Sequence, residues 1–236
     1  MIHLHRDMDE LKRELLATGG RVEEAIQQAT AALHDRRGDL AREVMAGDAE
    51  IDRREVELEE MALKILALHQ PVAIDLRFIA VVMKVNNDLE RMADYAVNIA
   101  ERAAFLVERP PLQVPARLEE MSGAAMAMVR DSLDAFVHGD AEAAWEVTAR
   151  DDVVDRYNVE IIQELRRRME DDPTTVERAL HLFSASRYLE RIADLATNVA
   201  EDVIYMVEGE IVRHQTDVHA RGDTSPPGGR NDEGER

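Results

Sequence analysis

The sequence contains no cysteine, few aromatic residues and little glycine or proline. Without cysteine it can form neither a disulfide nor a thiolate metal site, and it has no thiol nucleophile. Aromatic residues make up 4% of the chain, whereas apolar residues as a whole make up 45%. A core of Ala, Leu, Val, Ile and Met suits close helix packing better than a β-sandwich or a barrel, in which aromatic residues are enriched. The composition therefore favours an all-α fold.

The chain also lacks an excess of positive charge and any long apolar run. Its 49 acidic residues against 29 Lys and Arg give a formal net charge of −20, which disfavours nucleic acid and anionic lipid as direct partners. The longest apolar run, 78–83, is far shorter than the ~20 residues that a membrane span needs. Residues 1–15 lack the apolar core of a signal peptide. We expect a cytoplasmic protein that is not inserted into a membrane.

Apolar residues recur at the helical period of 3.6 along nearly the whole chain. Gly38-Asp39 and Gly139-Asp140 each predict a helix stop followed by a new N-cap. Prolines after residues 70, 109 and 172 predict the other breaks, because proline cannot continue a helix. The predicted helices cover about 11–33, 40–68, 74–107, 116–137, 140–170 and 176–211.

The second half of the chain repeats the first at an offset of 100 residues. Residues 89–101 read LERMADYAVNIAE and residues 189–201 read LERIADLATNVAE, so nine of thirteen positions are identical. A weaker echo pairs 48–53 with 151–156. A period near 100 is too long for a solenoid repeat and indicates a duplicated three-helix bundle. We predict a first bundle over 1–109, a proline-rich linker at 110–115, a second bundle over 116–212 and a disordered tail over 213–236.

Acidic residues follow one another at helical spacing on the second and third helices of both halves. Like charges at i and i+4 destabilise an exposed helix by roughly a few tenths of a kcal/mol, so this pattern is unusual. The second helices contribute Asp48, Asp52, Glu55 and Glu59 in the first half, and Asp151 and Asp155 in the second. On the third helices, the spacing i, i+4, i+8, i+11 places four residues on one face. These third-helix residues are Glu90, Asp94, Asn98 and Glu101, and Glu190, Asp194, Asn198 and Glu201.

If the acidic faces of neighbouring helices converge, their carboxylates must either bind a cation or take up protons. Oxygen ligands favour Mg, Ca, Mn or Fe, with Zn possible. The residues alone equally allow a solvated acidic face with no metal. No Glu-x-x-His signature of di-iron bundles, phosphate-binding loop or Gly-x-Ser-x-Gly elbow is present. A carboxylate-bridged metalloenzyme or metal store, and a metal-free helical scaffold, remain as alternatives.

The duplicated motif Leu-Glu-Arg-(Met/Ile)-Ala-Asp-x-Ala-x-Asn-(Ile/Val)-Ala-Glu, together with QPVAIDLR at 70–77, resembles the PhoU family over residues 5–212. The resemblance implies two three-helix bundles side by side and metal clusters, often of iron and sometimes of zinc, at the Glu/Asp-x-x-x-Asp motifs. The implied ligands in this chain are Asp48, Asp52, Glu90 and Asp94 in the first half, and Asp151, Asp155, Glu190 and Asp194 in the second. Asn98, Glu101, Asn198 and Glu201 continue the same faces.

The resemblance also implies a role without catalysis. Members of this family are cytoplasmic negative regulators, many of them homodimers, that act between the phosphate ABC transporter and a sensor histidine kinase. On that basis we expect the transporter ATPase and the kinase as partners. The 70–77 segment has no close copy in the second half, and Glu55 maps onto Asn158. We therefore expect the two halves to differ in metal occupancy and in partner binding.

Overall fold

A computed structural model describes residues 2–210 of the chain, apart from the side chain of Ile2, and every regular element in that range is helical. The all-α prediction is confirmed, whereas the predicted tail at 213–236 lies outside the described residues. None of the helices within 2–210 carries the apolar stretch that crossing a bilayer requires. The elements are α1 (Ile2–His34), α2 (Gly38–His69), α3 (Ala73–Val107), α4 (Ala116–His138), α5 (Ala141–Thr148), α6 (Asp151–Asp171), a 3₁₀ turn (Pro173–Thr175) and α7 (Val176–Glu208).

The last helix of each half forms the centre of the molecule. Helix α3 packs on α1 and α2, helix α7 packs on α4, α5 and α6, and α3 and α7 pack on each other. The two central helices run antiparallel. Near one end, Lys84 Nζ donates a hydrogen bond to Asp202 Oδ1 at 2.7 Å, and near the other the rings of Phe105 and His181 stack with centroids 3.8 Å apart. The two copies of the repeated motif therefore lie side by side.

The repeated motif is largely a packing pattern. Apart from Tyr95 and Val97, its apolar positions are buried in both halves, spaced as one face of a helix requires. Equivalent positions 100 residues apart are buried alike, as Met92 and Ile192 illustrate. Burial of these faces therefore accounts for much of the identity between the two copies, while the acidic positions need a separate explanation.

Arginine side chains hold the connection between the halves. Arg36 donates to the backbone carbonyls of Val107 at 3.0 Å and Arg109 at 2.7 Å. Arg178 donates to the carbonyl of Pro110 at 3.1 Å. Prolines have no backbone N–H, so the proline-rich linker forms these hydrogen bonds through its carbonyl groups. The planar guanidinium fork suits two acceptors at once.

The turn between α1 and α2 differs from the predicted one. Gly38 and Asp39 are the first residues of α2 rather than a stop and an N-cap, and Arg36 supplies the left-handed residue, with φ 55°. The hydrogen bonds of the Arg36 side chain to the linker offset the strain of that conformation. The matching pair in the second half behaves as predicted. Gly139 has φ 62°, and the Asp140 side chain accepts from the Ala143 N–H at 3.0 Å.

The predicted helix over 140–170 is two helices, α5 and α6, and the single-helix prediction is wrong. The backbone tightens at Ala149 and Arg150, where the Arg150 N–H donates to the carbonyl of Val147 at 3.0 Å, a 3₁₀-type bond. Asp151 and Asp152 then occupy the first turn of α6, where the helix dipole favours acidic residues. That acid pair was the local signal for a new helix start.

Helices α1 and α4 approach closely at Gly19. A Cβ atom at Gly19 would lie 2.8 Å from Leu133 Cδ1, whereas one at Gly20 would meet nothing within 4 Å. We expect Gly19→Leu to lower the free energy of unfolding by about 1–3 kcal/mol through overpacking. Gly20→Leu should raise it by up to about 1 kcal/mol, because leucine is the better helix former. Urea unfolding of the two variants measures both effects, and equal stabilities would contradict the close approach.

Candidate metal centres

The facing sides of α2 and α3 form the first cluster of carboxylates. Asn86 on α3 is buried and donates to the backbone carbonyl of Glu55 on α2 at 2.9 Å. This bond sets the register of the two helices, since it joins a side chain of one to the main chain of the other. The first cluster consists of Asp48, Asp52, Glu55, Glu90 and Asp94.

Mutual repulsion dominates the charged surroundings of the first cluster. Burial, followed by the nearby carboxylates of Asp94, Asp52, Glu55 and Asp48, raises the pKa of Glu90. Burial and the carboxylates of Asp52 and Asp94 likewise raise the pKa of Asp48. One oxygen of Asp48, Oδ1, is buried without a hydrogen-bond partner. Such a group of acids is stabilised either by protons or by a cation.

The second cluster lies between α6 and α7 at the equivalent positions. It consists of Asp151, Asp155, Glu190 and Asp194. Burial is the largest cause that raises the pKa of Asp151 to about 6, and the carboxylates of Asp194, Asp155, Asp152 and Glu190 raise it further. Asp151 therefore takes up a proton at a higher pH than an ordinary aspartate does.

Two polar side chains already bind Glu190 in the second cluster. Asn158, which is 2% exposed, donates from Nδ2 to Glu190 Oε1 at 3.0 Å and accepts from Ser186 Oγ at 3.0 Å. Arg187 Nη1 lies 2.5 Å from Glu190 Oε2. Arg187 and Arg191 also lower the pKa of Asp194, but its net shift is upward. Partial burial is the largest cause of that shift, although the carboxylate keeps access to solvent.

In the first half, the remaining predicted residues have other partners. Asn98 Nδ2 donates to the backbone carbonyl of Asp94 at 2.7 Å, within its own helix. Glu101 is half exposed and lies 3.4 Å from Arg102. Neither side chain is among the groups that shift the pKa values of the first cluster. They share its helix but lie farther along α3, so they remain predicted ligands without a described contact to it.

In the second half, Asn198 and Glu201 line a crevice of about 620 Å³ between α3 and α7. The crevice also contains the Lys84–Asp202 ion pair, whose atoms are 2.7 Å apart. The crevice thus belongs to the interface between the two bundles, and no member of the second cluster lines it within the described residues. The spacing along α7 predicted that Asn198 and Glu201 would extend the second cluster. In the structure they line this crevice instead.

The donor chemistry of the clusters fits a hard or borderline cation. All of the charged donors are carboxylate oxygens, the ligands that Mg, Ca, Mn and Fe prefer, and the orphaned Asp48 Oδ1 is available to one. As the side chains stand, no three Asp, Glu or His residues within 2–210 converge closely enough to hold a single ion. Binding therefore requires rotation of carboxylates toward a common point. The first cluster fits this requirement better than the second, where Glu190 is engaged by Arg187.

Sequence reasoning missed two members of these sites. Glu55 was placed on the second helix but not among the ligands. Its signal was the i, i+3 spacing from Asp52, which keeps both on one face. Arg187 was not considered at all. Its signal was the spacing of three residues to Glu190 and the contrast with Asn87 at the equivalent position.

The raised pKa of Asp151 predicts that the free energy of unfolding depends on pH. Its folded-state pKa of about 6 exceeds the ordinary value of 3.8, so ionisation disfavours the folded state. The contribution of this group to stability is full below about pH 4 and is lost as the pH rises through 6. We expect Asp151→Asn to exceed the wild type in unfolding free energy at pH 7.5 in chelator. The difference should be about 1 kcal/mol, because water screens a partly exposed carboxylate, and it should close by pH 4.

The control for this experiment is Asp9→Asn, which removes the same formal charge from an exposed position on α1. Urea unfolding at pH 7.5 and pH 4 should show little gain for this variant at either pH. A less stable Asp151→Asn protein at pH 7.5 would mean that the folded state favours the carboxylate form, contrary to the electrostatics described above.

Comparison with known sequences places the two halves in one family. A family model described as the PhoU domain matches residues 2–103 and again 118–203. A protein of Aquifex aeolicus named phosphate-specific transport system accessory protein PhoU homolog is 43% identical over 212 residues, which cover 90% of this chain and 96% of the relative. A relative of the same name from Pseudomonas aeruginosa is 39% identical over 211 residues, covering 88% of this chain and 86% of the relative.

Solved structures agree with the sequence comparison. The crystal structure of PhoU from Pseudomonas aeruginosa aligns with a TM-score of 0.84 and 37% identity, covering 87% of this chain and 99% of the other. The phosphate transport system regulatory protein PhoU from Streptococcus pneumoniae aligns with a TM-score of 0.83 and 28% identity, covering 89% and 99%. With a domain match in each half and relatives that span nearly all of the described helices, the chain belongs to the PhoU family.

Proposed function

We propose that this protein is a non-enzymatic cytoplasmic regulator of phosphate uptake and of phosphate-starvation signalling. The names of its relatives support the proposal, since they are accessory proteins of phosphate-specific transport systems, and one structural neighbour is a regulatory protein of such a system. The protein would act as a homodimer between the transporter ATPase and the sensor histidine kinase, dampening both when phosphate is plentiful.

An exposed apolar turn between α2 and α3 supports the adaptor role. Six of the ten exposed large hydrophobic residues within 2–210 lie between positions 56 and 76, and among them Val72 is 75% exposed and Ile74 66%. Apolar patches of this kind mark interaction sites on soluble proteins. Gln70 and Ala73 take positive φ values of 47° and 49°, which cost of order 1–3 kcal/mol each in a residue other than glycine.

The corresponding turn of the second half is polar. There the Asp172 side chain accepts hydrogen bonds from the N–H and the hydroxyl of Thr174 at 3.0 and 2.8 Å. Beside that turn, only Val176 and Leu180 are exposed large hydrophobic residues, at 38% and 49%, so the apolar surface is larger and more exposed in the first half. We assign the transporter ATPase as its partner, because the relatives are named for the transport system rather than for the kinase.

Affinity capture tests the adaptor role. At high phosphate, the tagged protein should bring down the transporter ATPase and the sensor kinase from its own host, identified by mass spectrometry. Val72→Asp should lose the ATPase. Val72 is the extended N-cap residue of α3, where aspartate is favoured, so the variant should fold. Val159→Asp, at a valine 51% exposed on α6, is the matched control and should capture normally.

Capture of no transporter subunit by the wild type would contradict the regulatory proposal. Equal capture by Val72→Asp and Val159→Asp would contradict only the assignment of the turn. A partnerless protein that carries tightly bound iron would favour the alternative of a metal-storage bundle.

We further propose that the two clusters bind iron, zinc or a similar cation. Its charge would neutralise the carboxylates and join α2 to α3 and α6 to α7. The residues that would hold it are those of the two clusters, with Glu190 released from its ion pair with Arg187. Without a cation, the carboxylates repel one another, and together with burial this repulsion raises the pKa values of Glu90 and Asp151.

Removal of the third-helix carboxylates tests the metal sites. The combined variant Glu90→Ala, Asp94→Ala, Glu190→Ala and Asp194→Ala should retain no metal after gel filtration, measured by plasma mass spectrometry. It should fold, because it removes repelling charges from both clusters. A control with four exposed glutamates changed to alanine should retain metal as the wild type does. The control positions are Glu57, Glu60, Glu142 and Glu146. Unchanged metal content in the cluster variant would refute the assignment.

A further inference from the structure

The two clusters differ at two equivalent positions. Glu55 in the first corresponds to Asn158 in the second at an offset of 103, and Asn87 corresponds to Arg187 at an offset of 100. The other four carboxylates of the first cluster each have a carboxylate counterpart. The second cluster therefore has one acid fewer and one guanidinium more than the first.

Both differences act on Glu190. Asn158 occupies one of its oxygens at 3.0 Å and Arg187 contacts the other at 2.5 Å. Asn158 is itself held by Ser186, so the first of these bonds is part of a buried network. An arginine keeps its positive charge at every physiological pH. Glu190 is thus already compensated by a cation that belongs to the chain.

The Arg187 side chain can also move away from Glu190. Its side chain is 43% exposed, whereas that of Glu190 is 16% exposed. A long, flexible and partly exposed side chain can turn into solvent when a metal ion approaches, whereas the mostly buried carboxylate stays in place. A metal at the second cluster must therefore displace the guanidinium, while in the first cluster the charged groups that shift the pKa of Glu90 are all carboxylates.

We propose that Arg187 is a built-in counter-ion that makes the second cluster the weaker of two cation sites. The inference rests on the proposed metal binding. Metal loading is then sequential. The first cluster fills at low concentration, and the second fills only when the ion outcompetes Arg187 for Glu190.

Titration of the full-length, chelator-treated protein with Mn²⁺ tests this inference, with free Mn²⁺ followed by electron paramagnetic resonance. The wild type should show a tight and a weak class of sites. Arg187→Gln should tighten the weak class by about tenfold or more and leave the tight class unchanged, because it removes a competing charge at contact distance. The reciprocal variant Asn87→Arg, at an exposed position, should weaken the tight class by a similar factor.

Arg167→Gln is the matched control. Arg167 is exposed on α6 and donates a hydrogen bond to the carbonyl of Gln163 in its own helix. The variant loses the same charge away from both clusters and should change neither class.

Thermal unfolding separates the counter-ion role from a merely structural one. In chelator, Arg187→Gln should melt below the wild type, because Glu190 loses its cation. With saturating Mn²⁺ the difference should vanish or reverse. A difference that persists unchanged in Mn²⁺ would assign Arg187 a structural role and overturn the inference.

The two proposals fail in different ways. Mn²⁺ binding that is identical in the wild type and in both Arg187→Gln and Asn87→Arg would overturn the counter-ion role alone. No Mn²⁺ binding by the wild type would overturn the metal part of the proposed function together with this inference.

Discussion

The antiparallel packing of α3 on α7 is the contact on which the rest of the molecule depends. Each of these helices presents one apolar face to its own bundle and to the other central helix, and the acidic stripe lies beside that face. At one end of this contact the Lys84–Asp202 ion pair joins the two helices, and the Asp202 side chain is 4% exposed. At the other end, His181 stacks on Phe105, and burial followed by Arg102 lowers the pKa of His181. A neutral ring is the form that such an apolar contact prefers.

This arrangement places the mutually repelling carboxylates of the acidic stripes close to the core. In a helical protein made only for stability, cations would follow the acids at i+4. Here the acids of neighbouring helices face one another, and the fold tolerates the cost because the apolar faces beside them are fully buried. Sites that work against local stability are characteristic of function, and a cation would convert this cost into a link between helices.

The two halves have kept the same packing and diverged in what they expose. The first half combines an apolar α2–α3 turn with a cluster of five carboxylates. The second combines a polar turn, a middle helix broken at Ala149 and Arg150, and a cluster that includes its own guanidinium. A duplicated bundle with two unlike surfaces can serve two unlike partners, as the proposed adaptor role requires.

The sequence by itself determined the helical class, the duplication and the acidic stripes, because each follows from spacing along a single chain segment. The period of 3.6 identifies a helix face, and the offset of 100 identifies the repeat, before any tertiary contact is known. Most helix ends followed as well, since glycine, proline and acidic N-caps act locally. The sequence did not predict the break at Ala149, because the turn there is tight and contains neither glycine nor proline.

Only the tertiary structure decided which side chains of a stripe meet. The rotation of one helix against its neighbour brings Glu55 to the first cluster and Arg187 to Glu190, and it directs Asn198 and Glu201 to the crevice between the bundles. These outcomes depend on contacts between segments tens of residues apart, such as the bond from Asn86 to the Glu55 carbonyl. Spacing within one helix carries no information about them, because it fixes the face of a residue but not what lies opposite.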